Sequence, residues 1–292
     1  MSLYLGCPIW AFKGWVGNFF PKGTKSADFL CEYSQRLTTV EGNTTFYAVP
    51  SLETIQHWVE ETPTSFRFCP KLPRTISHGR KLAEHIGEAR AFLEVMSQLG
   101  SRLGPLFLQL PPRYSPAMVE DLRSFLEAWP GNQPLAVEAR HLDWFDSPHL
   151  EAFLFLLEEK KLARVVIDTR PIRSLRDDSI LTGSIYLRLL QARERKPDVP
   201  VLPERTADFV FLRYIGHPQL ELNAPFINEW ATHLVKWLRE GVEAYVFCHC
   251  PDERLDPWLC QEFHQRIAES LPIPPLPWDQ ADENTTQQAR LL

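Results

Sequence analysis

Residues 39–78 read TVEGNTTFYAVPSLETIQHWVEETPTSFRFCPKLPRTISH. Two short β-prone runs, TVEGN and FRFCPK, flank one amphipathic segment in which Ile55, Trp58 and Val59 recur at helical spacing. Ser51 stands at the N-cap position, where a hydroxyl accepts an orphan backbone N–H, and Pro63 stops the helix. Strand, helix and strand in this order form a βαβ unit, because parallel strands need a crossover of a dozen or more residues. Both strand ends are polar: Glu41 and Asn43 close the first, Lys71 the second, and His78 follows.

The same alternation extends in both directions. Upstream, LYLGC reads as a buried strand over Leu3–Cys7, broken by Gly6 and Pro8, and a helical pattern starts at Ser26 and runs through Phe29, Leu30, Tyr33 and Leu37. Downstream, PLFLQLPP, PLAVEAR, ARVVIDTR, FVFLRYIGH and AYVFCHC read as strands. Helices are predicted over 82–99, 116–129, 148–160, 225–240 and 256–269. About eight strand–helix pairs predict an α/β fold, a TIM-type (β/α)8 barrel, as a single domain over residues 1–270. Residues 171–206, rich in Arg, Asp and Pro, are expected to form a long loop or lid carrying one β-like run, SIYLRLL. Residues 271–292 read as a proline-rich, then polar tail, with Trp278 anchoring it to the body.

Composition narrows the class. Apolar residues make up 44% of the 292 and charged residues 23%, as in a folded globular chain. No apolar run approaches the roughly 20 residues of a membrane span, and the N-terminus lacks the pattern of a signal peptide. A cytoplasmic protein without membrane association is expected. The net charge of −6 argues against a long nucleic acid as partner, since such binding rests on many phosphate contacts. Six cysteines without C-x-x-C spacing indicate reduced thiols rather than a zinc or disulfide framework. Cys69 lies beside Lys71, a charge that lowers a thiol pKa. In the CHC string, His249 faces opposite to Cys248 and Cys250 on a strand, so the three do not converge.

In a parallel barrel, residues at the carboxyl ends of the strands converge on one mouth, where chemistry takes place. The candidates are Glu41, Asn43, Lys71, Gln109, Glu138, Arg140, Asp168, Arg213, His217 and His249. Residues two apart share a face, so Glu41 points with Asn43, and Glu138 with Arg140. A paired network that merely closes the barrel accounts for any one of these charges. Three cations (Lys71, Arg140, Arg213) with three carboxylates (Glu41, Glu138, Asp168) exceed what closure needs. Arginine clamps a carboxylate or phosphate with two prongs, and lysine adds a point charge. Glu138 and Asp168 can divide acid and base roles if their surroundings separate their pKa values. A divalent metal is a third option, with His217 or His249 as nitrogen ligand, although no H-x-H or H-E-x-x-H spacing raises it. The aromatics Trp10, Phe12, Trp15, Phe19 and Phe20 read mainly as core, with Phe46 and Tyr47 as candidates for a stacking pocket.

The 39–78 stretch from VEGN onward, then FLQLPP, AVEARHLDWF, Asp168, RYIGH and VFCHCPDERLDPWL, resembles the YecE-like proteins, domain of unknown function family 72, over about residues 3–270. The resemblance implies a TIM-type barrel and carries no assigned activity. It draws attention to Glu41, Asn43, Phe46, Tyr47, Lys71, His78, Gln109, Glu138, Arg140 and Trp144. The chain departs from the commonest family pattern at Gly42, where VEIN is frequent, and near the last strand end, where an Asn often stands in place of His249 or Cys250.

The expected protein is thus an enzyme that acts on a small anionic substrate, bearing phosphate or carboxylate, by acid–base chemistry at the mouth. Glu138, Asp168, Glu41 and Lys71 are the catalytic candidates. Asn43, Tyr47, His78, Gln109, Arg140, Trp144, Arg213, His217 and His249 are the substrate-binding candidates. Two alternatives stand beside it: a divalent-metal-dependent phosphodiester hydrolase resembling barrel endonucleases, and a non-enzymatic ligand- or partner-binding protein. No spacing in the chain designates a particular cofactor or metal.

Overall fold

Eight strands form one parallel sheet in the computed structural model, which describes residues 2–130, 132–173, 181 and 183–279. They are Leu3–Cys7 (β1), Thr39–Gly42 (β2), Arg67–Pro70 (β3), Leu106–Gln109 (β4), Leu135–Glu138 (β5), Ala163–Asp168 (β6), Phe209–Ile215 (β7) and Glu243–His249 (β8). The hydrogen-bonded order is β3-β2-β1-β8-β7-β6-β5-β4. Bridges from Phe68 to Leu103 and from Lys71 to Phe107 bring β3 and β4 together, so the sheet closes on itself as a TIM-type (β/α)8 barrel. The Leu72 N–H donates to the Phe107 carbonyl at 2.8 Å across the same seam.

The strands are buried on both faces, as parallel sheets covered by helices must be. Side chains at alternate positions, among them Cys69, Phe107, Ala136, Val165, Phe211 and Phe247, fill the barrel interior. The intervening positions, such as Val40, Leu108, Val137, Leu212 and Val246, face outward into the larger core under the helices. Those helices are Phe29–Ser34 (α1), Leu52–Glu61 (α2), Ile86–Ser97 (α3), Val119–Ala128 (α4), His149–Glu159 (α5), Gly183–Arg195 (α6), Ala224–Arg239 (α7) and Asp256–Ala268 (α8). Helix α2 starts as expected: Ser51 Oγ accepts the Thr54 N–H at 3.2 Å. Helix α7 buries Ile227, Trp230, Ala231, Leu234 and Leu238, a stripe at the 3.6-residue period.

Two contacts hold β1 against β2. A Cβ at Gly6 would lie 2.0 Å from the Thr39 carbonyl oxygen, so the close approach there requires glycine. The Tyr33 hydroxyl on α1 accepts the Cys7 N–H at 2.7 Å and donates to the Thr39 carbonyl at 2.9 Å.

Within 171–206 the structure corrects the sequence reading. SIYLRLL lies in helix α6, not in a strand. Its buried Leu189 is flanked by half-buried Ile185 and Ala192, four residues before and three after, which is helical spacing, and the run continues into QARER, whose residues mostly favour helix. The barrel is already closed by eight strands and offers a ninth no edge. Leu189 packs with Ile167 of β6, Ile215 of β7, Ile172 and Val199, which seats α6 over the carboxyl ends of those strands. Residues 174–180 and 182 of this excursion lie outside the described residues. In the tail, Trp278 is buried between Phe19 and Trp258, with ring centroids 4.9 and 4.7 Å away, and its N–H reaches the Arg36 carbonyl at 3.2 Å. The remainder of the expected tail, 280–292, also lies outside the described residues. No helix among the described residues is long and apolar enough to cross a membrane.

Candidate functional site

Arg213, on the inner face of β7, is the centre of the mouth. Its Nε and Nη2 donate to Glu41 Oε2 and Oε1 at 2.8 and 2.9 Å, and its Nη1 donates to Glu138 Oε2 at 2.6 Å. One guanidinium thus joins the ends of β2, β5 and β7, in the forked geometry that makes Arg–carboxylate pairs strong. Phe107 lies under it, 4.9 Å from the guanidinium carbon. Glu41 also accepts from Asn43 Nδ2 at 2.7 Å and contacts His249 Nε2 at 3.2 Å. Burial pushes the Glu41 carboxyl up, but Arg213 and His249 overcome it and hold it well below the usual carboxylate range. Glu138 is likewise ionised: Arg213, Arg140 and Lys71 outweigh its burial. Burial lowers the His249 pKa to about 4 against the pull of Glu41, so near neutrality its ring is uncharged and donates from Nε2 to that carboxylate.

Around this centre the pocket is cationic. It has a volume of about 800 Å³ and is open to one side of the barrel. Arg140 Nε stands 3.4 Å from Glu138 Oε1, and its Nη2 donates to the Arg195 carbonyl on α6 at 3.0 Å. Lys71 Nζ donates to Gln109 Oε1 at 3.0 Å and lies 4.2 Å from the Phe46 ring centroid. Burial and then Arg213 lower the Lys71 pKa to about 8, with Glu138 and Glu41 offsetting part of the effect. Half-buried Lys196, just past α6, is lowered to about 8 by the same causes. The inner mouth therefore sets four cations, Lys71, Arg140, Lys196 and Arg213, against two ionised carboxylates, Glu41 and Glu138. Arg74, Arg188 and Arg195 add positive charge to the lining, and Glu253 a carboxylate at its exposed edge.

Most of the expected residues meet here. Asn43, Tyr47, Lys71, His78, Gln109, Arg140, Arg213 and His249 line the pocket, and Glu41 and Glu138 sit at its base, bound to Arg213. Tyr47 is 81% exposed, a free aromatic face at the rim. Burial, then Lys71 and the nearby arginines, lowers the His78 pKa to about 4, so that ring is neutral too.

Three of the expected residues point elsewhere. Asp168 lies on the outer face of β6, where its carboxylate accepts from Trp230 Nε1 of α7 at 2.7 Å and from Arg170 Nη2 at 2.8 Å. Strand alternation puts it opposite the inward-facing Val165 and Ile167. Trp144 is core, packed on Phe153 with its Nε1 donating to the Tyr114 carbonyl at 2.7 Å. His217 is buried beyond the end of β7, its Nδ1 accepting the Gln219 N–H at 3.0 Å. Cys69 also departs from expectation. It faces the apolar barrel interior, where burial, the largest of the effects on it, raises its thiol pKa. His249 does face opposite to Cys248, which packs in the outer core. All six cysteines are free thiols. No group of three or more His, Cys, Asp or Glu among the described residues is placed to hold a metal ion.

The pocket has a wall that strand-end reasoning missed. Arg188, Gln191, Arg195 and Lys196 come from or just after α6, and Asp256 from the start of α8. Asp256 is fully buried, and burial raises its pKa well above the usual value, with the Cys250 backbone N–H opposing the effect in part. It is a buried carboxyl beside the mouth. The basic run RERK at 193–196 was a visible signal for α6; nothing local distinguished Asp256 from a helix-capping residue.

With this geometry in hand, the relatives are informative. The family model described as "Protein of unknown function DUF72" matches residues 4–281. UPF0759 protein YecE of Escherichia coli K12 is 33% identical over 280 residues, covering 94% of this chain and 97% of that protein. UPF0759 protein YunF of Bacillus subtilis is 23% identical, covering 84% and 87%. Crystal structures of DUF72 family proteins from Enterococcus faecalis and Thermotoga maritima, each 20% identical, superpose with TM-scores of 0.67 and 0.65. They cover 92% of this chain in both cases, and 97% and 100% of their own. These two share the barrel, and the match across nearly the whole sequence means that the chain belongs to the DUF72 family.

Proposed function

We propose that the protein is an enzyme acting on a small anionic substrate, phosphate- or carboxylate-bearing, by acid–base chemistry at the carboxyl-end mouth of the barrel. The observation that carries this reading is the charge imbalance. Arg213 already engages both Glu41 and Glu138, so Lys71, Arg140 and Lys196 are buried or half-buried cations without enough carboxylate to balance them. Buried charge of one sign is costly, and an entering anion relieves it. Arg140 and Lys196 hold the anion in this scheme, with Asn43, Gln109, His78, Tyr47 and His249 shaping the pocket around it. Arg213 positions the two glutamates. Lys71, lowered to about 8, exchanges a proton near neutrality, and Glu138 Oε1, which makes no hydrogen bond among the described residues, remains an acceptor facing Arg140. Asp168, Trp144 and His217 do not line the pocket and take no part in it.

The test is thermal unfolding and calorimetric titration with inorganic phosphate and with small carboxylates at constant ionic strength. Wild type is expected to show a rise in Tm that chloride does not reproduce. Arg140→Ala should weaken phosphate binding tenfold or more with its circular dichroism unchanged; equal affinity in the two proteins would overturn the reading. Glu138→Gln separates catalyst from binder, since an enzyme loses turnover of a phosphate-ester panel while a binder keeps its capture intact.

A further inference from the structure

We infer that Lys71 is an imine-forming nucleophile, and that the anion bound at the mouth carries a carbonyl group, as an α-oxo acid or a carbonyl phosphate does. This rests on the anion-binding reading above and goes beyond it by naming the reactive group and the substrate class.

A lysine attacks a carbonyl only as the free amine, so enzymes that use one desolvate it or place it beside other cations. Lys71 has both features. It is buried at the end of β3, where no carboxylate among the described residues pairs with it and the Arg213 and Arg140 charges oppose its own. The lowered pKa leaves about a tenth of it unprotonated at pH 7, hundreds of times more than for an ordinary lysine. Its position is fixed. The Lys71 N–H donates to the Gly42 carbonyl of β2 at 3.2 Å, Lys71 bridges to Phe107 across the β3–β4 seam, and its Nζ lies between the rings of Phe46 and Phe107, 4.2 and 5.4 Å from their centroids. Among the described residues Nζ makes one hydrogen bond, to the neutral Gln109 oxygen, which takes an N–H and leaves the lone pair of the free amine uncommitted. Lys196, the other amine lowered to about 8, is half-buried on a segment outside the barrel wall, which suits it to hold the anionic end.

The step balances without an oxidant or reductant. The Lys71 nitrogen bonds to the carbonyl carbon, the C–O bond breaks, and the oxygen leaves as water with two of the three ammonium protons. The product is a protonated imine whose positive charge replaces that of the lysine.

The experiment is borohydride trapping of the full-length protein with glyoxylate, pyruvate and glycolaldehyde phosphate, read by intact mass and peptide mapping. Hydride addition to the imine carbon makes a stable secondary amine. The expected result is one adduct per chain, mapped to Lys71, with at least one of these anions, and none with butanone at equal concentration. Lys71→Arg keeps the charge, and should abolish the adduct with its circular dichroism unchanged. No adduct at Lys71 with any of the three, or modification spread over surface lysines alone, would overturn the inference. Wild type that gains Tm from phosphate yet forms no adduct refutes the imine and leaves the anion site standing. Absence of both the Tm gain and the adduct refutes the two together.

Discussion

Lys71 carries its charge at the expense of stability. Burial and the neighbouring arginines lower its pKa from 10.5 to about 8, so the folded protein binds this proton less tightly than the unfolded chain does. The penalty is complete below about pH 8 and fades as pH rises toward 10.5. Lys71→Met is therefore expected to raise the unfolding free energy by about 1–3 kcal/mol at pH 7, with the gain shrinking at pH 10; urea denaturation at the two pH values measures both. Saturating phosphate should narrow the gap at pH 7, because in wild type the anion also relieves the Lys71 charge, whereas the variant keeps only the Arg140 and Lys196 contacts. The candidate status of Lys71, Arg140 and Arg213 was legible because each is a charge in or just past the carboxyl-terminal part of an apolar strand. Their division of labour was not. That Arg213 occupies both glutamates follows from side-chain geometry across the barrel, between residues 172 and 75 positions apart.

At the scale of elements, β6 shows how a period of two decides function. Asp168 ends an apolar strand as Glu138 does, yet it stands one position out of phase, on the face turned toward α7. It ties strand to helix through Trp230 and binds Arg170, which in turn reaches Glu229 of α7 at 3.0 Å. Asp168→Asn is expected to cost about 2–4 kcal/mol in urea unfolding, because it removes the charge from a buried, paired site. The folded variant should keep the phosphate-induced rise in Tm; a loss of binding equal to that of Arg140→Ala would return Asp168 to the site. Helix α6 illustrates the opposite error. A short apolar run is ambiguous between helix and strand until its neighbours are known, and here the absence of any sheet edge settles it.

Across the whole molecule, a chain of net charge −6 sets Lys71, Arg140, Lys196 and Arg213 together at the mouth of the barrel, so the chain is acidic on balance while the mouth is not. The tail contributes to the same body: Trp278 closes over Phe19 and Trp258 on the outer core. Trp278→Ala is expected to cost about 3–4 kcal/mol by leaving a cavity there, a loss that urea denaturation at pH 7 detects. The fold was readable along the chain because hydrophobic period, the Ser51 cap and the proline stops are local properties, repeated strand after strand. The resemblance of the 39–78 stretch to its family came from the same local record. Closure of β3 on β4, the turning of Asp168 away from the mouth, the α6 roof that brings Lys196, and the burial of Asp256 came only with tertiary structure. Each depends on distances between segments far apart in sequence, and it is those distances that set which charges are paired and which are left facing the pocket.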